Sequence, residues 1–408
     1  VAKIAVLYLP WPGHLNPLCG LARELSRRGH RVAFFHLPEF AGDAQARELE
    51  FLPFGMSLQP PLGQRYRALG ELEGAQAAAC GLGLMRDLAH STLSWAGPSL
   101  EAWKPDLLLV DQMDYGASTL AQILRLPFVT VALTLLKQNE EGVPGFDGQP
   151  FQAGVPRPGP LQAFLDELDA VRRSAGLSPF SYETLWSHLA QISQQPPEFE
   201  FPRRTLPPWF HFTGPFAARR EEKRYPDPDF PWQRLDGRPL VYASLGTSLN
   251  RKRALLETIV AATTGLDVQL VLATGLEMEN LPEHVVAVPH APQLEILARA
   301  DAMITHAGMN SALECLTAGV PMVAMPVAHD QPGVASRIAY TGTGLWLKDD
   351  QRTPDHLKDA VTRVLRDDRF RLAAEAMAAA IARADGVSRA AEVVEQVAST
   401  GRPVLYGG

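Results

Sequence analysis

The chain has 408 residues, 46% hydrophobic and 20% charged, with a formal net charge of −7. That length exceeds one compact core and predicts two domains, and the acidic balance, with no basic stripe, argues against nucleic acid as the main partner. No apolar run reaches the roughly 18 residues of a membrane-spanning helix. The short basic clusters (Arg27-Arg28, Arg203-Arg204, Arg219 to Arg224) read as solvated edges. Three cysteines, Cys19, Cys80 and Cys315, form no CxxC pair. They are expected as buried free thiols in a reducing compartment, without a zinc site, so a cytoplasmic location is expected.

The first stretch, "VAKIAVLYLPWPGH", enters a fold element directly and reads as a strand rather than a signal peptide. Its continuous apolar run suits a strand buried on both faces of a parallel sheet. Leu18, Leu21, Ala22 and Leu25 then recur at helical spacing, with Gly29 as the stop signal. "RVAFFHL" is the second strand, completing a βαβ unit. The pattern returns at "PDLLLVD", "YGASTLAQIL" and "PFVTVAL", so the first half is a doubly wound α/β domain. Residues 60–100 and 135–200 are less regular, with helix-like stretches and loops. They are either pocket-building insertions or mobile surface loops. Residues 217–238 are charged, proline-rich and aperiodic, and read as an interdomain linker after a first domain of residues 1–216.

Strand and helix alternation restarts at residue 239. Strands are expected at "PLVYASLG", "VQLVLATG", "HVVAVPH", "AMITHAG", "PMVAMPV" and "GLWL". Helices are expected at "RALLETIVAATT", at "SALECLTAG" and through the Ala- and Arg-rich tail. The fold class is therefore α/β, two Rossmann-like doubly wound domains facing across a cleft. The second domain covers 239–390. The end, 391–408, is expected as a helix and tail that packs back on the first domain.

Ligands of open α/β sheets bind beyond the carboxyl ends of the strands, so the residues just after each strand carry the information. There stand Ser244, Gly246 and Thr247; His290 and Gln293; His306, Gly308, Asn310 and Ser311, leading to Glu314; and Asp330-Gln331. A helix starting near Gly308 can place its free N–H groups on a diphosphate. His306, Ser244 and Thr247 can add donors, Glu314 can accept from ribose hydroxyls, and Asp330 with Gln331 suits the vicinal hydroxyls of a sugar. Singly, each of these is weak; their order at successive strand ends gives them weight.

The segment "HAPQLEILARADAMITHAGMNSALECLTAGVPMVAMPVAHDQ" resembles the nucleotide-sugar signature of the UDP-glycosyltransferase family with the GT-B fold, which includes plant secondary-product and bacterial macrolide enzymes. The resemblance implies that Gln293 and Glu314 contact ribose and that His306 contacts the diphosphate, with Asn310, Ser311 and Ser244 nearby. Asp330 and Gln331 would hold the sugar. Plant members often carry Trp where this chain has His290, which leaves uracil against thymine open. The family also places a catalytic His after the first strand, paired with an Asp at a later strand end. His14, in "WPGHLNP", and Asp111 match, with Asp114 as the runner-up.

The implied activity is an inverting, metal-independent hexosyltransferase. It would move a hexose, glucose foremost, from a UDP-sugar co-substrate to a lipophilic alcohol or phenol such as a terpenoid, carotenoid, flavonoid or macrolide. No cofactor is expected, and a monomer or weak dimer is. Trp11 and Met113 adjoin His14 and Asp111 and are the first candidates for the acceptor pocket. Met85, Phe128 and the loop 142–160 follow, and any of them can equally be core. Competing readings are a dTDP-sugar antibiotic-tailoring enzyme, another GT-B class, a non-catalytic partner protein that keeps the fold, and an NAD-dependent oxidoreductase. The last lacks a GxGxxG after the first strand.

Overall fold

The structure, a computed structural model, describes residues 1–69, 72, 74–154, 159–216, 230–246 and 251–407. The first unit holds strands β1 (Lys3–Leu7), β2 (Arg31–His36), β3 (Glu50–Pro53), β4 (Leu107–Asp111), β5 (Phe128–Ala132), β6 (Gln191–Ser193) and β7 (Phe210–Phe212). Its helices are α1 (Pro12–Arg27), α2 (Ala41–Gln45), α3 (Leu62–Leu69), α4 (Gly74–Trp103), α5 (Tyr115–Ile123), α6 (Gly159–Ser174) and α7 (Tyr182–Leu185). The second unit holds β8 (Leu240–Ser244), β9 (Gln269–Ala273), β10 (Val285–Val288), β11 (Ala302–Thr305), β12 (Met322–Ala324) and β13 (Gly344–Trp346). Its helices are α8 (Arg253–Thr263), α9 (Gln293–Leu297), α10 (Met309–Ala318), α11 (Gln331–Tyr340), α12 (Pro354–Arg366) and α13 (Asp368–Ala384), and α14 (Gly386–Thr400) follows.

Both sheets are parallel, ordered β3-β2-β1-β4-β5-β6-β7 and β10-β9-β8-β11-β12-β13. Helices cover both faces of each, which explains the unbroken apolar strands. Ile4, Val6 and Tyr8 of the first stretch enter one core with α1, while Ala5, Leu7 and Leu9 enter the opposite one with α4 and α5. α1 ends where expected: Gly29 N–H donates to the Ser26 carbonyl and His30 N–H to that of Leu25.

Several elements differ from the sequence reading. Residues 74–103 form a single helix of 30 residues, although it contains Pro98 and three interior glycines, because Leu84, Leu88, Ala96 and Leu100 are buried along it. The short strands β3, β6 and β7 extend the first sheet at its two edges. Residues 217–229 of the expected linker, including Arg219 to Arg224, lie outside the described residues. Its remainder does not span between units: Phe230, Trp232 and Leu235 pack on the second core, so that core begins before residue 239. The terminal helix starts at Gly386, not at 391, and packs Val387, Ala390, Val394 and Val397 on the core beneath α1. Cys19 and Cys315 are buried and Cys80 is half-buried, and none of the three is in a disulfide. Among the described residues no helix is long and apolar enough to cross a membrane.

The two units meet through a buried ion pair. Arg337 of α11 grips Glu200 with two bonds, Nη2 to Oε1 at 2.5 Å and Nε to Oε2 at 3.1 Å, and the side chains are only 1% and 2% exposed. The same guanidinium donates to the carbonyls of Gly333 and Pro144. Removing Arg337 strips the buried Glu200 carboxylate of its two-bond partner and leaves it only Arg203, at 3.4 Å, as a cation among the described residues. Arg337→Leu should therefore cost about 3–5 kcal/mol, read as a lower midpoint in thermal unfolding followed by circular dichroism.

Candidate active site

The strand order reverses between β1 and β4 in the first sheet and between β8 and β11 in the second. Loops leaving neighbouring strands at such a point run in opposite directions and open a crevice at the carboxyl ends. Leu7 of β1 is aligned with Val110 of β4, so the segment after β1 and Asp111 share that edge. His14 stands there, in the first turn of α1 rather than in a loop: the helix begins at Pro12, and His14 N–H donates to the Trp11 carbonyl at 2.9 Å. Pro suits this start because its missing N–H is one that a helix terminus leaves unpaired anyway.

His14 Nδ1 is 2.6 Å from Asp111 Oδ2. The carboxylate is fully buried and is fixed by backbone donors as well, Leu9 N–H on Oδ2 at 3.3 Å and Met113 N–H on Oδ1 at 2.9 Å. With Nδ1–H given to the carboxylate, Nε2 keeps its lone pair. Burial disfavours the imidazolium, but the charge and hydrogen bond of Asp111, helped by the charge of Asp330, outweigh it. The pKa of His14 lies above the ordinary 6.5. Asp114 is not the partner. It caps α5, accepting from Ala117 N–H at 2.9 Å, and burial pushes its carboxyl up to about 7, against that bond and with help from the charge of Asp111.

In the second unit Ser244 and Thr305 are aligned, which brings the loops after β8 and β11 together. The His306 ring fills the space between them. A Cβ on Gly246 would come 2.6 Å from its Nε2 and one on Gly308 2.4 Å, so both positions demand glycine. Burial lowers the His306 pKa to about 4, although its ring donates to the Ser244 backbone carbonyl, and its Nδ1 is buried with no partner among the described residues. Ser244 Oγ accepts from Gly246 N–H at 3.3 Å. Gly308 precedes α10, whose N-terminus has no side-chain cap, so the first-turn N–H groups of Met309, Asn310 and Ser311 lack intrahelical partners. Further along α10, Glu314 Oε2 accepts from Gln293 Nε2 at 2.5 Å, and Gln293 Oε1 from the Tyr242 hydroxyl at 3.0 Å. His290 is exposed beyond β10. Thr247 lies outside the described residues.

Other positions carry contacts that the sequence did not suggest. The Asn310 side chain reaches the other unit, with Nδ2 donating to the Gly13 carbonyl and Oδ1 accepting from Gln194 Nε2, both at 2.9 Å. Gln331 Oε1 accepts from Val327 and Ala328 N–H, which shapes its own loop and leaves only its NH2 for a ligand. Asp330 Oδ2 accepts from Leu135 N–H across the units at 3.4 Å. His329, on a left-handed backbone with φ of +58, lies close enough to Asp330 and His14 to interact with their charges. A histidine beside the Asp-Gln pair after a strand was the available signal for it.

Trp11 and Met113 are half-buried at the edge of the core under α4, and the Trp11 ring meets His14 edge-on at 6.0 Å. Phe128 is a buried core residue of that cluster, and Met85 packs in a separate aromatic cluster with Tyr115 and Phe164. Of the loop 142–160, residues 155–158 lie outside the described residues. Residues 143–149 dock on the start of α11, where Phe146 carbonyl accepts from Gly333 N–H at 2.9 Å. Among the described residues no group of three or more His, Cys, Asp or Glu is placed to hold a metal.

Residues 255–399 match the family described as Erythromycin biosynthesis protein CIII-like, C-terminal domain. Along its whole length the chain is similar to zeaxanthin glucosyltransferase of Pantoea ananas, 32% identical with 100% of this chain and 98% of that protein covered. The chain belongs to the GT-B glycosyltransferase family. It is also 29% identical to demethyllactenocin mycarosyltransferase of Streptomyces fradiae, over 98% of this chain and 87% of that one. The crystal structure of the kitacinnamycin glycosyltransferase shares the fold, with a TM-score of 0.77 at 24% identity and coverage of 97% and 98%. In this glycosyltransferase the crevice between the sheets is thus the place to look for transfer chemistry.

The His14 environment can be tested without any substrate. In a histidine-resolved NMR titration the His14 imidazole should lose its proton above pH 6.5. In Asp111→Asn the opposing charge is gone and burial remains, so the titration should move to lower pH. An unmoved midpoint would show that Asp111 does not hold the proton.

Proposed function

We propose that the protein is an inverting glycosyltransferase. It moves a hexose, glucose foremost, from a UDP-sugar to a hydroxyl of a lipophilic small molecule and yields a β-glycoside. One observation carries this reading: His14 commits Nδ1 to Asp111, and the residue before it bonds to the uncapped start of α10. A base with a free Nε2 therefore stands beside an anion-binding helix terminus. As the acceptor oxygen bonds to the anomeric carbon, its proton passes to Nε2, and Asp111 stabilises the imidazolium. The bond from that carbon to the phosphate oxygen breaks on the opposite face, and UDP departs with the electron pair. One displacement inverts the centre, so an α-linked donor gives a β-linked product. The N–H groups of residues 309–311 hold the leaving diphosphate, with His306 as a neutral neighbour.

Gln293 and Glu314, already joined, are arranged for the ribose hydroxyls, and Asp330 with the Gln331 amide for the sugar. Trp11 and Met113 form the acceptor rim. Trp11 Nε1, buried with no partner among the described residues, offers a donor to an acceptor oxygen near His14. The name of the Pantoea relative supports glucose as the sugar, and that of the Streptomyces relative keeps other sugars in the test. His290, small and exposed where the base would stack, keeps thymine nucleotides in it too.

Purified protein should be incubated with UDP-glucose, UDP-galactose, UDP-N-acetylglucosamine or dTDP-glucose against terpenoids, hydroxylated carotenoids, flavonols and macrolides. The expected product gains one hexose by mass spectrometry with UDP-glucose and shows a β-anomeric proton coupling. Products from dTDP-glucose alone would reassign the donor, and an α-linkage would overturn inversion. His14→Ala should lower turnover by about 10²–10⁴-fold while UDP affinity by calorimetry stays unchanged. EDTA should leave the rate unaltered.

A further inference from the structure

The side chain of Asn310 sits in the second position of α10, where the proposed diphosphate site would recruit it. Both of its polar ends are engaged elsewhere. Nδ2 donates to the carbonyl of Gly13, the residue before the base, and Oδ1 accepts from Gln194, which lies just beyond β6. The Gly13 carbonyl is available for a reason written in the sequence. In an α-helix it would accept from the N–H four residues on, and that residue is Pro17, which has none and whose ring crowds the same carbonyl. Left without its ladder partner, the carbonyl takes a donor from the other unit. Gln194 is itself anchored, its Nε2 donating to the Leu133 carbonyl as well, at 2.5 Å. Asn310 thus spans the crevice between two fixed points of the first unit.

We propose that Asn310 is a positioning residue that fastens the turn of α1 carrying His14 to the diphosphate-binding end of α10, and that its side chain is not a ligand of the nucleotide. This rests on the transfer reading given above. The bond makes the distance between the base and the sugar donor a property of the closed arrangement of the two units. Nucleotide binding uses the backbone N–H groups of α10, which do not depend on the Asn310 amide.

The test separates turnover from nucleotide affinity. In Asn310→Ala, kcat should fall by about 10–100-fold, the scale of a misplaced reacting group, while the UDP dissociation constant by calorimetry stays within about twofold. The pH dependence of kcat should keep the wild-type midpoint, because Asp111 and not Asn310 sets the His14 proton. Gln194→Leu removes the other anchor from outside the donor site and should show the same split, more weakly. Circular dichroism of both variants checks folding, and should Gln194→Leu not fold, the half-exposed Asn310→Ala decides alone. A tenfold or greater loss of UDP affinity in Asn310→Ala with kcat preserved would make Asn310 a nucleotide ligand and overturn the proposal. Unchanged kcat with unchanged affinity would overturn it as well. A wild-type protein that binds no nucleoside diphosphate would overturn the donor-site reading and this inference together.

Discussion

Asp111 is a carboxylate with no exposed surface at the end of a central strand, and such a group must find partners within the protein or lose its charge. It finds three. Leu9 N–H comes from the chain leaving β1, Met113 N–H from the chain entering α5, and His14 from the first turn of α1. Satisfying one charge therefore ties together both loops at the point where the strand order reverses. The same bonds choose the tautomer of the histidine and aim its free nitrogen. The pair is held by regular elements, His14 on a helix and Asp111 on a strand, which is more rigid than a constellation carried on loops.

The contact between the two units is polar where it matters. Glu200 receives Arg337 from α11, Gln195 and, at 3.4 Å, Arg203. Phe146 carbonyl receives Gly333, where a Cβ would sit 2.3 Å from the Gly145 carbonyl. Asn310 bridges Gly13 and Gln194. An apolar interface of equal area tolerates sliding, whereas bidentate and close-approach contacts are directional and fix an angle. Removing two charges from water is costly, and a buried pair of this kind is better read as a device for specific geometry than as a source of stability. The α11 contacts bear on the Asp330-Gln331 loop and the Asn310 contacts on His14, so the angle between the units sets both ends of the crevice.

Much of this was legible in the sequence, and for a physical reason. Strands buried on both faces must be continuous apolar runs, and ligand-binding residues of such sheets follow them, so the positions from Ser244 to Gln331 stood out by place, whereas the pairing of His14 with Asp111 came from the family resemblance. The strands β3, β6 and β7 could not. They have three or four residues each and form because their backbone groups pair with an existing edge, which leaves no periodicity to read. α4 was obscured by Gly81, Gly83, Gly97 and Pro98, whose low propensity is overridden by burial against the sheet. The motif around Asn310 suggests a nucleotide contact and gives no hint of where its side chain is bonded in the structure. Its partner is a backbone carbonyl 297 residues away, made available by a proline, and no side-chain pattern encodes that.

Two histidines in the crevice show how environment divides labour within one residue type. Burial works against the cation at both. At His14 the Asp111 carboxylate reverses the outcome and raises the pKa, whereas at His306 no carboxylate answers and the pKa falls to about 4. His14 thus has the proton affinity that a base needs, and in the proposed reaction it becomes positive only as the acceptor gives up its proton. With its pKa lowered to about 4, His306 is neutral near pH 7, so there it supplies shape and one hydrogen bond but no charge. Stabilisation of a departing diphosphate then falls to the helix terminus behind Gly308, whose N–H groups do not titrate. In that arrangement the leaving-group side of the crevice is indifferent to pH, and the acid limb of the reaction belongs to His14 and the carboxylate that holds it.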